Sequence, residues 1–340
     1  MAVEKTIGKC ERVKMDAETR RRGGRRGAHK NKSADIARLC LLRVFLRVSA
    51  SPRQILFSLI LLTLTACAPK PLLIVGSKNF TEQALLAEII SQQLERRLHI
   101  PIGRKFNLGG TLLAHGALAS GGIDLYPEYS GTALTAVLKQ PPRNDPAAVL
   151  DQVRREYQRQ WRLRWLAPLG FNNTFAMMVR GADVRAGIHT LSQAAAARAW
   201  RLGAGYEFKQ RPDGLAGLLR TYSLRTQGDA VTMDLGLLYA ALKSNKVDMI
   251  AANSTDGLAS VLDVAMLEDD RRYFPPYECA VVVREDTLAR IAGLEQALAE
   301  LSGKLPDAVM RRLNFAVDGE HRPPAQVAAN FLDTAFGKQR

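Results

Sequence analysis

The stretch Gly121-Gly122-Ile123-Asp124-Leu125-Tyr126-Pro127-Glu128-Tyr129-Ser130-Gly131-Thr132-Ala133-Leu134 carries a helix end, a strand and a helix start in close succession. The glycine pair suits a helix C-terminus, because glycine takes the left-handed conformation found there at little cost. The pattern predicts a short strand over 123–126, stopped by Pro127, which fits a turn. A new helix is expected from Ser130, and its first turn exposes unsatisfied backbone N–H groups. The Tyr129 ring and the Thr132 hydroxyl then lie beside a helix N-terminus at the carboxyl end of a strand, the place where open α/β sheets bind ligands. A ring face attracts a cation and a helix N-terminus an anion, so this stretch points to a small zwitterion. The competing reading makes Tyr129 a packing residue and Thr132 a helix cap.

Outward from this stretch the same alternation recurs. A strand is expected over 72–75 and a helix from about Phe80, where Asn79 and Glu82 have capping-box spacing. Leu85, Leu86, Ile89, Ile90 and Leu94 give that helix one apolar face. A strand over 102–108 and a helix opened by Gly109-Gly110-Thr111 complete a βαβαβ order, which specifies strands in parallel with helices on the sheet faces. Downstream, 141–146 reads as a loop and 151–161 as a helix. An apolar strand follows at 171–179, with an asparagine pair, Asn172-Asn173, near its start. Helices at 191–199, 213–222 and 234–244 alternate with strands at 201–204 and 247–251. Asn253-Ser254-Thr255-Asp256-Gly257 marks a turn and helix start, with Asp256 as the expected cap. Phe274-Pro275-Pro276-Tyr277 breaks the chain before a strand at 279–283, and the remainder is helical over 287–301, 306–313 and 324–336. Two α/β lobes follow: lobe 1 from 72–174 and 275–340, lobe 2 from 175–274. The chain crosses between them twice, which makes a hinge able to close on a ligand.

The chain has 340 residues and a net charge of +15, unevenly spread. Residues 1–54 hold 15 Lys and Arg against 5 Asp and Glu, whereas the rest holds 33 against 28. The basic excess sits in a leader and not on the folded part, so no nucleic-acid partner is expected. Residues 1–50 read as a disordered basic leader or as the product of a misassigned translation start. Arg53 precedes an apolar run over 55–66, too short to span a membrane but suited to the core of a signal peptide over 51–66. The run ends in Leu64-Thr65-Ala66-Cys67, which resembles the lipobox of bacterial lipoproteins. That resemblance implies lipidation at Cys67, a tether over 67–71 and an exported, lipid-anchored domain. The four cysteines form no CxxC pair, and no metal site or cofactor is expected. Cys279 lies in an apolar run and is expected to be buried.

The segments 76–83 (Gly-Ser-Lys-Asn-Phe-Thr-Glu-Gln), 107–111, 122–134, 171–175, 203–214, 254–257 and 274–277 together resemble the substrate-binding proteins of glycine betaine/choline (osmoprotectant) ABC transporters. The resemblance spans about 72–336. It implies a type II periplasmic-binding fold, an α/β architecture of two lobes, each a mostly parallel sheet with flanking helices, joined by a double-crossing hinge. It also implies a monomer that takes up a quaternary amine or betaine outside the cytoplasm, in the periplasm where the cell has one, and delivers it to a permease with its ATPase. By position, Tyr129 and Tyr277 match box tyrosines around a trimethylammonium group, and Phe175 stands where a tyrosine is common. Asn173 offers an oxygen toward the cation. Lys78, Thr132 and Arg211 match the groups that hold the carboxylate. Asn253 departs from the pattern, replacing a ring with an amide. The missing ring and added polarity favour a larger betaine with polar atoms, such as carnitine or ergothioneine, over glycine betaine. Taken singly, Lys78 reads equally as a loop lysine, and Arg211 as a partner of Glu207 or Asp213. Two other functions remain: a ligand-sensing lipoprotein, and a transferase-type enzyme on a similar fold. Against the enzyme, none of the five histidines falls in the matched segments, and GxSxG, P-loop and HExxH motifs are absent.

Overall fold

The computed structural model describes residues 72–338. The leader, the signal segment, Cys67 and the tether lie outside the described residues. Among those described, no helix is long and apolar enough to cross a membrane.

Two five-stranded sheets organise the chain. The first has the order β2-β1-β3-β10-β4 and the second β7-β6-β8-β5-β9. In the first, β1 (Leu73–Gly76) runs parallel to β2 (Ile102–Lys105) and β3 (Leu125–Tyr129). The linking helices are α1 (Thr81–Leu98) and α2 (Thr111–Ala119). After α3 (Pro146–Trp161) the chain enters β4 (Leu163–Asn172), and β10 (Glu278–Arg284) inserts antiparallel between β3 and β4. In the second sheet β6 (Leu202–Ala204) is parallel to β7 (Val231–Thr232) and β8 (Met249–Asn253). Strands β5 (Phe175–Arg180), beside β8, and β9 (Val264–Met266), beside β5, complete it antiparallel. Each sheet is thus parallel where βαβ units build it and antiparallel at the strands next to the crossings.

Several local expectations are corrected. The strand through Tyr126 does not stop at Pro127. It runs to Tyr129, with Pro127 opposite Val281 of β10. Strand β1 reaches only Leu125. At Pro127 the ladder therefore continues on one side only, the circumstance in which a strand tolerates proline. The predicted capping box is not formed: α1 starts at Thr81 with no side-chain cap, and Glu82 turns inward instead. Pro146 opens α3 at its first position, capped by Asp145, whose carboxylate accepts from the amides of Ala147 and Ala148. The long C-terminal helix over 287–301 is divided by Gly293, which has φ +77°.

The core follows the apolar pattern. Leu85, Leu86, Ile89, Ile90 and Leu94 of α1 are all buried, as is the free Cys279. Helix α1 also packs against the helices Leu294–Ala299 and Pro324–Phe336; its buried Gln93 donates to the Ala297 carbonyl at 3.4 Å and Glu300 Oε2 at 2.9 Å, and its buried Ser91 to the Ala87 carbonyl at 2.7 Å. In the second lobe the anchor is Trp200, fully buried, whose indole N–H donates to the Ala194 carbonyl at 2.8 Å.

The chain passes from β4 to β5 through Asn173-Thr174 and returns to β10 through Phe274-Pro275-Pro276-Tyr277. The two crossings bond to each other. The Asn173 amide donates to the Tyr277 carbonyl at 3.1 Å, and the Tyr277 amide to Asn172 Oδ1 at 2.6 Å. The Thr174 amide donates to Ser254 Oγ at 3.1 Å. A helix of the first lobe, Asp307–Asp318, also packs on the 3-10 turn Gly257–Ser260 of the second.

Truncating Trp200 to alanine removes a filled volume and a satisfied N–H at once. Trp200→Ala is expected to lower the free energy of unfolding by about 3–5 kcal/mol in a urea titration.

Candidate functional site

A cavity of about 750 Å³ is bordered by residues of both lobes. Lys78, Tyr129, Thr132, Asn173, Phe175, Arg211, Asn253 and Tyr277 all border it. The topology explains the convergence. Lys78 follows β1, Tyr129 ends β3, Thr132 lies in the helical turn after it, and Asn173 and Tyr277 occupy the two crossings. Phe175 and Asn253 are opposite each other on β5 and β8, at the end of the second sheet nearest the crossings.

Both cations are already paired, which amends the picture of groups waiting bare for a carboxylate. Lys78 is 2% exposed, and its ammonium donates to Glu128 Oε1 at 2.5 Å and to Thr111 Oγ1 at 3.1 Å. Glu128 Oε2 accepts from the Tyr126 hydroxyl at 2.9 Å. Arg211 forms a two-point pair with Asp213, Nε to Oδ1 at 2.9 Å and Nη2 to Oδ2 at 2.5 Å. It also reaches lobe 1, with Nη1 3.1 Å from Thr132 Oγ1 and Nη2 3.3 Å from Thr135 Oγ1. The Tyr277 hydroxyl donates to Asp213 Oδ2 at 2.6 Å. An unpaired buried charge would cost several kcal/mol, so the fold supplies a carboxylate to each. Burial alone would raise the Asp213 pKa, but Arg211 and the Tyr277 hydroxyl hold it below the usual value.

The rings form two groups. Tyr129 stacks on Phe80 at 6.4 Å and meets Phe171 edge-on at 6.4 Å. Phe175 contacts Phe208 at 4.9 Å, Phe274 at 6.0 Å and Tyr277 at 5.6 Å. The Lys78 ammonium lies 5.2 Å from the Tyr129 ring, and the Arg211 guanidinium 5.1 Å from Phe175 and 5.8 Å from Tyr277.

Glu82 is buried and accepts four hydrogen bonds. Oε1 receives the Tyr129 hydroxyl at 2.6 Å and the Asn173 amide at 2.7 Å; Oε2 receives the Thr255 hydroxyl at 2.5 Å and the Asn314 amide at 2.8 Å. Burial raises its pKa, and those four donors oppose the rise. Asp256, expected as a helix cap, makes no cap bond. It borders the cavity and accepts from the Asn253 amide at 3.1 Å, Asn253 Nδ2 at 3.3 Å and the Tyr239 hydroxyl at 3.2 Å. Burial, offset by the Asn253 donors and reinforced by the Glu82 charge, lifts it to about 7. Besides Lys78 and Arg211, five carboxyl groups border the cavity: Glu82, Glu207, Asp234, Asp256 and Asp318. Sequence reasoning did not single out Glu128 or Phe208, although both lie in matched segments, nor Tyr239 or Asn314, which are joined to the site only by tertiary contacts. The signals that existed were Glu82 inside a matched segment, and Glu207 and Asp213 as neighbours of Arg211.

Residues 71–334 match the family described as the substrate binding domain of ABC-type glycine betaine transport systems. The chain belongs to this family. It is 34% identical over 271 residues to the ergothioneine transport permease/ergothioneine binding protein EgtU of Helicobacter pylori strain G27, covering 79% of this chain and 48% of that one. This chain thus spans about half the length of that relative. It is 35% identical over 270 residues to the glycine-betaine-binding protein of Pseudomonas aeruginosa PAO1, covering 76% and 86%. The crystal structure of a glycine betaine/carnitine/choline ABC transporter superposes with a TM-score of 0.66 at 29% identity, covering 77% of this chain and 98% of that one. The family's role is substrate binding in transport, outside the cytoplasm.

Two predictions test the carboxyl network. Glu82→Gln turns one acceptor oxygen into a donor facing two donors; with charged hydrogen bonds worth about 1.5–3 kcal/mol each, an unfolding midpoint several degrees lower is expected by calorimetry. Asp256 has a folded pKa of about 7 against 3.8 when exposed. Its contribution to stability is therefore complete below pH 3.8 and is lost as pH rises through 7. The stability of wild type relative to Asp256→Asn is expected to fall steadily across that window in urea titrations at successive pH values.

Proposed function

We propose that this chain is the ligand-binding lipoprotein of an ABC importer, and that its ligand is a trimethylammonium betaine larger and more polar than glycine betaine. The observation that carries the reading is the convergence of all eight candidate residues on one cavity. Lobe 1 comprises 72–174 and 275–340 and lobe 2 comprises 175–274, closing about the paired crossings. Tyr129, Phe175 and Tyr277 present ring faces to the quaternary ammonium, with the oxygen of Asn173 alongside. Lys78, Thr132 and Arg211 receive the carboxylate. Arg211 spends four of its N–H contacts on Asp213, Thr132 and Thr135, so a guanidinium with five donors retains one for the ligand. Cys67 is the lipid attachment point that keeps the domain beside its permease.

Two physical features support this ligand class. Five carboxyl groups border the cavity beside two cations that are already neutralised, so the site welcomes net positive or zwitterionic ligands and disfavours anions. Its volume of about 750 Å³ falls within the range of about 300–1,000 Å³ typical of drug-sized ligands. Asn253 adds an amide beside Phe175, where a ring would otherwise extend the apolar wall. Both features suit carnitine or ergothioneine. The names of relatives that carry the words ergothioneine and carnitine agree with that class.

Calorimetric titration of the purified protein decides the ranking. Ergothioneine or carnitine is expected to bind more tightly than glycine betaine, and tightest binding to glycine betaine would overturn the assignment. Removing one desolvated cation–π contact costs about 2 kcal/mol, so Phe175→Ala is expected to weaken the preferred betaine by roughly thirtyfold.

A further inference from the structure

Helix α2 has no side-chain cap from its own lobe; its cap position is Gly110. The cap comes from across the cleft. Glu207, which follows β6 in lobe 2, accepts the Thr111 amide on Oε1 at 2.5 Å and the Thr111 hydroxyl on Oε2 at 3.1 Å. The first-turn amides of a helix are unsatisfied and sit at its positive end, so a carboxylate there is held by hydrogen bonding and by charge. Gly110 makes the approach possible. Its φ of −76° is open to any residue, but a Cβ at 110 would lie 2.3 Å from Glu207 Oε1. A side chain at 110 would therefore push the Glu207 carboxylate aside, although the backbone there would accept it. Thr111 Oγ1 also accepts from Lys78 Nζ at 3.1 Å. A hydrogen-bonded path therefore runs from the cavity wall, through Lys78 and Thr111, to the cross-lobe contact.

We propose that Glu207 is the latch that holds the two lobes closed, a positioning residue for ligand retention. Its carboxylate can satisfy the Thr111 amide only when the lobes are together, and opening the cleft breaks both bonds at once. A ligand carboxylate on Lys78 would order the same path and tighten the latch. The ligand arm of the test rests on the betaine reading; the amide arm does not.

The test uses the full chain as wild type, Glu207→Ala, Glu207→Gln, Gly110→Ala and the Glu207→Ala/Gly110→Ala pair. Without ligand, hydrogen exchange of the Thr111 amide is expected to accelerate roughly tenfold in Glu207→Ala, the size of a lost helix cap. Gly110→Ala should do the same by steric means. Because both act on one contact, the double variant should exchange no faster than Glu207→Ala alone. The Ala114 amide, bonded within α2 to the Gly110 carbonyl, should keep its protection, which shows that the helix is intact. Glu207→Gln, which keeps shape and loses charge, should fall between wild type and Glu207→Ala and serves if the alanine variant does not fold. With carnitine or ergothioneine as probe, stopped-flow release should quicken in Glu207→Ala. Unchanged Thr111 exchange in the Glu207 variants overturns the latch. So does slower release in Glu207→Ala, which would mean that Glu207 competes for the ligand's place. Faster Thr111 exchange in a protein that binds neither betaine supports the latch and overturns the betaine reading.

Discussion

The enclosed carboxylate of Glu82 constrains this structure more than any other group. Its four donors come from the end of β3, the first crossing, the turn after β8 and a C-terminal helix. Those elements span both lobes and the hinge. Among the described residues no cation is paired with Glu82, so its carboxyl oxygens are satisfied by hydrogen bonds alone. Each donor must therefore be in place for the others to be worth their burial. The network fixes the hydroxyl end of Tyr129, and with it the orientation of the ring that borders the cavity. It also ties Thr255 of lobe 2 to helix α1 of lobe 1. A lobe rotation that removed Thr255 would leave Oε2 with only the Asn314 amide. The position of the lobes and the posture of one wall of the cavity are thus set by the same side chain.

The two ion pairs at the cavity follow a related logic with a different consequence. Lys78–Glu128 lies within lobe 1, and Arg211–Asp213 within lobe 2. Neither pair crosses the cleft, so neither charge is stranded when the lobes part. What crosses is bonded through hydroxyl or amide groups and not through ion pairs: Arg211 to Thr132 and Thr135, the Tyr277 hydroxyl to Asp213, the Thr255 hydroxyl to Glu82 and the Thr111 amide to Glu207. This division keeps the cost of opening low, because breaking a buried ion pair leaves an uncompensated charge whereas breaking a bond to a hydroxyl does not.

How much of this was legible in the sequence depended on how local the cause was. The βαβ alternation and the ring of Tyr129 at a strand end are written in periodicity and in short motifs, and the structure has them. Pro127 misled because proline's effect on a strand depends on its neighbours: β1 ends short of it, which no reading of the stretch itself reveals. The capping-box spacing of Asn79 and Glu82 was a true local pattern overridden by a tertiary demand, since Glu82 had four better partners. Glu128 went unassigned for a similar reason. Glu128 faces Lys78 from fifty positions away, through the pairing of β1 with β3. Asp213 lies close to Arg211 in sequence, yet whether the pair is a surface contact or a buried one rests on Thr135 and Tyr277 closing over it.

Asn173 and Tyr277 bond to each other through the backbone, and both side chains border the cavity. Asn173 donates to Glu82, and Tyr277 to Asp213. Each crossing residue thus touches a carboxylate that reports on the relation between lobes, and each also faces the ligand space. Phe175, two residues beyond Asn173, moves with lobe 2, whereas Tyr129 stays with lobe 1. A change of lobe angle about 173 and 277 must therefore alter the distance between the two ring groups while leaving Tyr277 near the axis. Under the proposed function, a cation between Phe175 and Tyr129 resists that change, since opening would take one ring away from it. In such an arrangement ligand affinity and the closed state are two descriptions of one equilibrium.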